Sequence, residues 1–172
     1  MSLKKRVVDF GFPPIERADA RALILGSLPG QRSLQQRQYY AQPRNAFWRI
    51  MGELFGAGPQ LSYDERTQRL VENRMALWDV CACAHRPGSL DAAIDHTSIE
   101  VNPFEEFFRR HEALRLVCFN GATAARLYAR NVLARLPPEF QSIATQALPS
   151  TSPAHAAMPF DAKLALWAAA LR

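Results

Sequence analysis

Short apolar runs alternate along the chain with segments whose apolar residues recur at helical spacing. Four runs predict buried strands, at 22–25, 75–83, 114–119 and 142–148. Five segments predict helices, at 45–55, 62–74, 103–111, 122–136 and 160–171. Strands separated by helices favour right-handed crossovers, and therefore a parallel sheet with helices on both faces. The pattern thus predicts an α/β fold, with a long polar connection at 88–102 that contains no predicted element.

Two of the predicted helices carry start signals. Asn45 precedes one of them as a candidate N-cap, and Gly56 follows it as a stop. Ser62 precedes the next, and Glu65 lies three residues later, as in a capping box. These signals place both helix starts to within a residue or two.

Length and composition favour one domain. The chain has 172 residues, of which 48% are hydrophobic, enough to bury one core. We expect a single domain over 1–172, with 1–20 as an N-terminal extension. No apolar run approaches the roughly 18 residues that span a bilayer, and the basic start Met1–Arg6 has no apolar segment after it. We therefore expect a cytoplasmic monomer without a membrane partner.

Three cysteines, Cys81, Cys83 and Cys118, fit no zinc or iron–sulfur pattern. Buried, reduced thiols are the expectation, and no metal or cofactor is expected.

The positive charge is concentrated in the first part of the chain. The formal net charge is +5, but residues 1–50 hold nine Lys or Arg and only three acids. From Ala20 to Ile50 there are five arginines and no acid. Such an imbalance indicates an anionic partner, often a nucleic acid, although a solvated basic face explains it equally well.

Ligands of parallel α/β sheets bind at the carboxyl ends of the strands, which here lead into residues 26–48, 79–90, 120–123 and 149–158. The first loop consists of Gly26, Ser27, Leu28, Pro29 and Gly30, and its glycines permit close approach to a ligand. Tyr40 is a candidate platform for stacking a base, or a core residue. Asn45 caps a helix or points into the cleft.

The last loop consists of Ser150, Thr151, Ser152, Pro153 and Ala154, followed by His155. Short hydroxyl residues between prolines form a rigid loop whose hydroxyl and N–H groups contact phosphates. An ordinary turn before the last helix is the alternative interpretation.

These loops resemble the motifs of the uracil-DNA glycosylase superfamily. Residues 26–30 match its first motif in position and shape, and 43–48 resemble the Pro-x-Asn-x-Phe-Trp stretch of its mismatch-specific branch. Residues 148–154 and 86–91 resemble the hypoxanthine (deoxyinosine) DNA glycosylase branch. The resemblance covers roughly residues 20–172. Each motif is weak by itself, but together, in this order and at the strand ends, the motifs are fairly specific.

The resemblance implies a three-layer α/β/α sandwich around a four-stranded parallel sheet. It also implies monofunctional removal of a damaged base from DNA, without a metal or a lyase step. Leu28 stands where the mismatch branch has a water-positioning Asn, and the deoxyinosine branch also lacks that Asn. By the same resemblance Asn45 positions the water, which favours hypoxanthine over uracil. Cys81 aligns with a base-reading Asn of several branches.

The resemblance assigns further roles along the same loops. Backbone groups of the 26–30 loop bind the base edge, Tyr40 stacks on the extruded base, and Phe47 belongs to the same substrate-binding motif. Residues 150–154 hold the phosphates, and residues 154–158 enter the gap in the duplex. His155 supports the leaving base or a phosphate, or is only structural. Asp79 and Asp91 are nearby carboxylates that structural capping explains as well.

Three alternatives stay open. A uracil/thymine mismatch glycosylase would share most of these motifs. Ser27, Asp79 and His155 also follow strands in a way that permits a serine-type triad, but the Gly-x-Ser-x-Gly elbow is missing. Leu28 keeps open a non-catalytic nucleic-acid-binding module.

Overall fold

The computed structural model describes residues 7–172. The strands are β1 (Val8–Phe10), β2 (Ala22–Gly26), β3 (Met75–Asp79), β4 (Cys81–His85), β5 (Glu100–Val101), β6 (Leu116–Asn120) and β7 (Ala144–Leu148). The helices are α1 (Gln31–Gln36), α2 (Phe47–Phe55), α3 (Tyr63–Glu72), α4 (Phe104–Arg110), α5 (Ala122–Asn131), α6 (Pro138–Gln141) and α7 (Phe160–Leu171). The first six residues, including the basic start of the chain, lie outside the described part.

The main sheet has four parallel strands in the order β3-β2-β6-β7. Strand β2 lies in its interior, where all five of its residues are buried. Its apolar run is therefore continuous, as expected for a parallel strand covered on both faces. The predicted four-stranded parallel sheet is confirmed.

Side chains of the sheet alternate between two separate cores. Leu23 and Leu25 of β2 point to a core that includes residues of α4 and α5. Ala22 and Ile24 point to the opposite core, which includes residues of α2, α3 and α7. Helices therefore cover both faces, and the three-layer α/β/α sandwich is confirmed.

The predicted strand 75–83 is wrong in one respect, because it is two strands. Strand β3 ends at Asp79, and after Val80 the chain enters β4, which pairs antiparallel with β1 and β5 in a small second sheet. The N–H groups of Val80 and Cys81 donate to the carbonyls of Gly26 and Ser27 at 2.8 and 3.0 Å. Both strands are apolar, so periodicity gives no sign of the break.

Several boundaries also differ from the prediction. Helix α2 begins at Phe47 with Ala46 as its N-cap residue, one position after Asn45. The polar connection 88–102 contains two short 3₁₀ turns and β5, and α1 lies in the segment after the first loop. The capping box of Ser62 and Glu65 is present as predicted.

Strand β1 lies within the predicted N-terminal extension, and its pairing with β4 attaches that segment to the small sheet. The three cysteines are free and buried, and burial raises the pKa of Cys81 and of Cys118 to about 12. Within residues 7–172, no helix combines the length and the apolar character needed to cross a bilayer.

One buried cation joins the two sheets. Arg86 follows β4 and is only 3% exposed. Its guanidinium donates to the carbonyl oxygens of Leu28, Pro29 and Gly88. Its remaining partners are two carboxylates, at 3.5 Å from Asp9 Oδ2 and 3.8 Å from Asp91 Oδ1. The first loop of the main sheet is thereby fixed to the small sheet.

We expect Arg86→Met to lower the free energy of unfolding by about 3–5 kcal/mol, because it leaves buried carbonyl groups and Asp9 without their partner. The matched control is Arg109→Met, which removes an exposed ion pair with Glu105 at 2.7 Å and should cost much less, because solvent screens an exposed pair. Urea unfolding of both variants measures the two losses. Equal losses would show that Arg86 is not a structural centre.

Candidate functional site

The carboxyl ends of the parallel strands open into a cleft of about 390 Å³. Its walls come from five segments and from Asp79; the segments are 26–33, 39–45, 89–92, 120–123 and 150–155. All four strand-end segments singled out in the sequence contribute to it. The fold therefore brings together residues that are up to about 130 positions apart in the chain.

The cleft contains nearly every predicted site residue. Those that line it are Gly26, Ser27, Leu28, Pro29, Gly30, Tyr40, Asn45, Ser150, Thr151, Ser152, Pro153, Ala154 and His155. Phe47 does not line it, because its side chain is fully buried beneath Tyr40. A direct contact of Phe47 with a ligand is therefore not available in this conformation, and Phe47 acts on the cleft through Tyr40.

Tyr40 presents an aromatic surface to the cleft. One face of its ring stacks on Phe47, with ring centroids 4.1 Å apart and planes 25° apart. The residue is half-buried, while its hydroxyl is fully buried. Burial raises the pKa of that hydroxyl, so it stays protonated. Its backbone is in the left-handed region with φ of +54°, which only a constrained loop maintains for a bulky residue.

Asn45 lies where two loops of the cleft meet. Its Oδ1 accepts a hydrogen bond from the N–H of Phe47 at 2.9 Å, so the side chain supports the start of α2 from outside the helix. The next residue, Ala46, donates its N–H to the carbonyl of Thr151 at 3.0 Å. A carbonyl oxygen has two lone pairs, so Oδ1 retains one acceptor position. Among residues 7–172, no hydrogen-bond partner occupies its Nδ2.

The 150–154 loop is fixed by Asn120 at the end of β6. Asn120 Nδ2 donates to Thr151 Oγ1 at 2.8 Å, and Thr151 N–H donates to Asn120 Oδ1 at 2.9 Å. Gly121 allows this close contact, since its φ is +98° and a Cβ there would lie 3.0 Å from Ser150 Cβ. Thr151 is thus a buried structural residue of the loop.

The hydroxyl groups of Ser150 and Ser152 remain free to donate hydrogen bonds. Ser150 Oγ accepts from the N–H of Ser152, and Ser152 Oγ accepts from the N–H of Ala154, both at 3.2 Å. Each hydroxyl oxygen is held as an acceptor, and its O–H is left to donate outward. Such an arrangement suits an anionic ligand at the cleft.

His155 lies at the exposed rim of the cleft. Its carbonyl accepts from Lys163 Nζ at 2.8 Å, which fixes the backbone and leaves the ring outside that contact. Ser27 instead donates its hydroxyl to Asp91 Oδ1 at 2.6 Å. In the described part of the chain, Ser27, Asp79 and His155 form none of the hydrogen bonds of a serine-type triad.

The floor of the cleft carries a buried acid, Asp79, which sequence analysis named only as a nearby carboxylate. Asp79, the last residue of β3, is 4% exposed, and its Oδ2 has no hydrogen-bond partner among residues 7–172. Burial, reinforced by the charge of Asp91 and opposed by Arg86, raises its pKa to about 7. Cys81, two residues on, is packed in the core and does not line the cleft. The polar strand-end residue that faces the ligand space is therefore Asp79 and not Cys81.

Asp79 makes folding stability depend on pH. Because its pKa is raised from 3.8 to about 7 in the fold, its contribution is complete below pH ~4 and is lost as the pH rises through 7. Asp79→Asn places an amide at this position that is uncharged at every pH. The free energy of unfolding of this variant, relative to that of the wild type, should therefore rise by up to about 4 kcal/mol between pH 4 and pH 8.

Urea unfolding of the two proteins at several pH values measures this difference. A constant difference across the range would mean that the carboxyl at position 79 titrates as an ordinary exposed acid.

Comparison with known proteins agrees with this architecture. Residues 13–171 match the family described as the uracil DNA glycosylase superfamily. The hypoxanthine DNA glycosylase of Methanosarcina acetivorans is 40% identical over 115 residues, which span 66% of this chain and 72% of the relative. The hypoxanthine DNA glycosylase of Methanosarcina barkeri is 40% identical over 112 residues, which span 64% and 70%.

A solved structure is similar over almost the whole length. The solution NMR structure of a candidate uracil DNA glycosylase from Methanosarcina acetivorans matches with a TM-score of 0.80 and 34% identity. The match covers 96% of this chain and 98% of that one. Proteins with these names are hydrolases of N-glycosyl bonds in DNA. The family match extends over the whole parallel sheet and every wall of the cleft, and the chain therefore belongs to the uracil DNA glycosylase superfamily.

Proposed function

We propose that this protein is a monofunctional DNA glycosylase that extrudes a deaminated base, preferably hypoxanthine, and hydrolyses its N-glycosidic bond to leave an abasic site. The observation that carries the proposal is the convergence in one cleft of an aromatic platform, a free amide and an outward-facing hydroxyl loop. The two relatives that are 40% identical are both named hypoxanthine DNA glycosylase, which supports the choice of base. The nucleic-acid partner also accounts for the basic first part of the chain.

Extrusion is required because the glycosidic bond of a stacked base is inaccessible. The energy of unstacking, a few kcal/mol, is smaller for a mispaired base, and that difference helps selection. The open face of Tyr40 offers the extruded base a new stacking partner, with Phe47 supporting it from behind. A purine has the larger surface and gains more from this contact than a pyrimidine.

Asn45 is the group that orients the water. The free lone pair of its Oδ1 accepts a proton of the water, while the bond from Phe47 N–H fixes the direction of the side chain. The water oxygen then attacks C1′ of the extruded nucleotide as the bond between C1′ and the base breaks. The bonding electron pair leaves with the base nitrogen, which takes up a proton, and the attacking water gives up a proton to solvent, so that the products are the free base and an abasic sugar. Leu28 lies in the first loop and has no group that could hold a water, so this role falls to Asn45.

The loop of Ser150 and Ser152 holds the phosphates on either side of the extruded nucleotide, with the O–H groups donating to phosphate oxygens. His155, at the rim of the same cleft, would contact a phosphate or the departing base. The hydroxyl loop and Asn45 are connected through Ala46 N–H and the Thr151 carbonyl. This hydrogen bond therefore couples binding of the DNA backbone by the loop to positioning of the water by Asn45.

Release of a free base from defined duplexes tests the function. With enzyme in excess and no added metal, we expect hypoxanthine release from an inosine-containing duplex, with an alkali-labile site and no strand cleavage before alkali. Duplexes with uracil, xanthine or a G·T mismatch serve as comparisons, and mass spectrometry identifies the released base. Activity confined to uracil would place the protein with the uracil-specific branches, and no release from any duplex would overturn the glycosylase proposal.

Asn45→Ala separates catalysis from capping. If Asn45 orients the water, the single-turnover rate of base release should fall by ~10²–10⁴-fold. The unfolding free energy should fall by only about 1 kcal/mol, because one capping hydrogen bond is lost. Affinity for an abasic product duplex should change little, because the hydroxyl loop is intact.

Ser62→Ala is the matched control, since it removes the cap of α3 on a helix that does not line the cleft. It should lose a similar amount of stability, about 1 kcal/mol, and retain the full rate. An Asn45→Ala protein that is equally destabilised but fully active would reduce Asn45 to a structural residue.

A further inference from the structure

A second pocket, of about 280 Å³, lies on the outer side of the hydroxyl loop 150–154. Thr151, Ser152 and Pro153 line both this pocket and the cleft, so the loop forms a wall that the two share. The remaining walls come from the start of α2 and from the segment that leads into α7. We call this space the outer pocket, and no step of the proposed reaction takes place in it.

Three cations line the outer pocket, and no acid is among its lining residues. The cations are Arg44, Arg49 and Lys163. Within residues 7–172, none of the three forms an ion pair. Asp161, two positions before Lys163, is exposed and contacts none of them in that part of the chain. Three uncompensated positive charges around one small pocket indicate an anionic ligand.

Lys163 gives the strongest indication, because it is only 5% exposed. Its ammonium donates one hydrogen bond, to the carbonyl oxygen of His155 at 2.8 Å, and this is its one acceptor among residues 7–172. An ammonium has three N–H donors, so two are left for a ligand. Burial lowers the pKa of Lys163, since a charge removed from water is destabilised unless an opposite charge accompanies it. An anion in the outer pocket would supply that missing charge.

Arg49 is held over the same pocket by an aromatic ring. The central carbon of its guanidinium lies 3.8 Å from the centroid of the Phe160 ring. Stacking of this kind occupies a face of the guanidinium and leaves its N–H edge available for a bidentate contact. Arg49 also lies in the first turn of α2, which contains no acid. The helix dipole is positive at this end, so a bound anion would be attracted by both the helix and the arginine.

The shared loop indicates which anion enters the outer pocket. In the proposed complex the hydroxyl groups of Ser150 and Ser152 contact phosphates from the cleft side. A strand that places one nucleotide in the cleft must continue past this loop, and its next phosphates then approach the outer side. Lysine binds phosphate as a point charge and arginine as a fork, so the two cation types suit the oxygens of a phosphodiester.

We propose that the outer pocket binds a further backbone phosphate of the DNA strand that carries the extruded nucleotide, with Lys163 and Arg49 as its main donors and Arg44 adding charge. This inference rests on the proposed glycosylase function, which determines the path of the strand. The hydroxyl loop then has phosphates of one strand on both of its sides.

The salt dependence of DNA binding tests this site without requiring base release. The ligand is a duplex with a stable abasic analogue, and fluorescence anisotropy gives its affinity between about 50 and 200 mM salt. Lys163→Met and Arg49→Met should each weaken binding roughly tenfold, the effect of losing one hydrogen bond to a charged group. Each should also reduce the slope of log affinity against log salt by about 0.9, the value for one phosphate contact.

Arg130→Met is the matched control, because it removes the same charge from an exposed position near the end of α5 that lines neither the cleft nor the outer pocket. It should keep the affinity and the salt slope of the wild type. Thermal unfolding of each variant shows that it is folded. Arg49 is exposed, so Arg49→Met tests the site independently of the buried packing around Lys163.

Neutral methylphosphonate groups, placed one at a time on either side of the abasic analogue, identify the phosphate. At the position that occupies the outer pocket, the wild type should lose roughly tenfold in affinity and Lys163→Met should lose little more, because that contact is already absent. At every other position the two proteins should lose affinity equally.

Two results would overturn this inference while leaving the proposed function standing. One is that Lys163→Met and Arg49→Met bind the duplex with the affinity and salt slope of Arg130→Met. The other is that no methylphosphonate position gives a smaller loss in Lys163→Met than in the wild type. A wild type that releases no base from any duplex would overturn the proposed function, whatever the salt slopes of the variants.

Discussion

The cleft depends on the buried guanidinium of Arg86. A planar group with five N–H donors can hold several carbonyls at fixed angles, and here it bonds the carbonyls of Leu28, Pro29 and Gly88. The first loop of the parallel sheet is therefore held against the segment that leaves the antiparallel sheet. Leu28 anchors this loop in the core, but the other residues are small or proline, and without this cation the carbonyls of Leu28 and Pro29 would lose their partner.

The same interaction determines the electrostatics of the cleft. Arg86 is a buried cation whose charge acts on Asp79, and its N–H groups are bonded to carbonyls and to Asp9. Its charge lowers the pKa of Asp79 less than burial and Asp91 raise it. The result is a floor that is polar and close to neutral in charge, beneath walls that carry hydroxyls and arginine. Such a floor favours a neutral ligand group, while the arginine and hydroxyl groups of the walls favour an anionic one.

The sequence predicted the parts of the fold that depend on periodicity and on strand ends. Buried parallel strands give continuous apolar runs, and the helix at 47–55 has a clear amphipathic pattern. The break at Val80 escaped detection because the residues on both sides are apolar and only long-range bonds to the 26–27 loop reveal it. The alignment of Cys81 with the base-reading Asn of several branches did not point to the polar residue that lines the cleft at this strand end, which is Asp79, two positions earlier. A two-residue shift preserves the face of a strand but not its distance from the strand end.

Other features of the cleft depend on contacts that no local pattern encodes. The support of Tyr40 by Phe47, the clamp of Asn120 on Thr151 and the space left by Gly26 each join residues from different elements. They share one consequence, which is that the walls are fixed before a ligand arrives, while Asp79 Oδ2 at the floor has no hydrogen-bond partner among residues 7–172. Preorganised walls reduce the entropy lost on binding. That atom is left to bond a ligand, so the rigidity of the walls and the hydrogen-bonding capacity of the floor arise from the same packing.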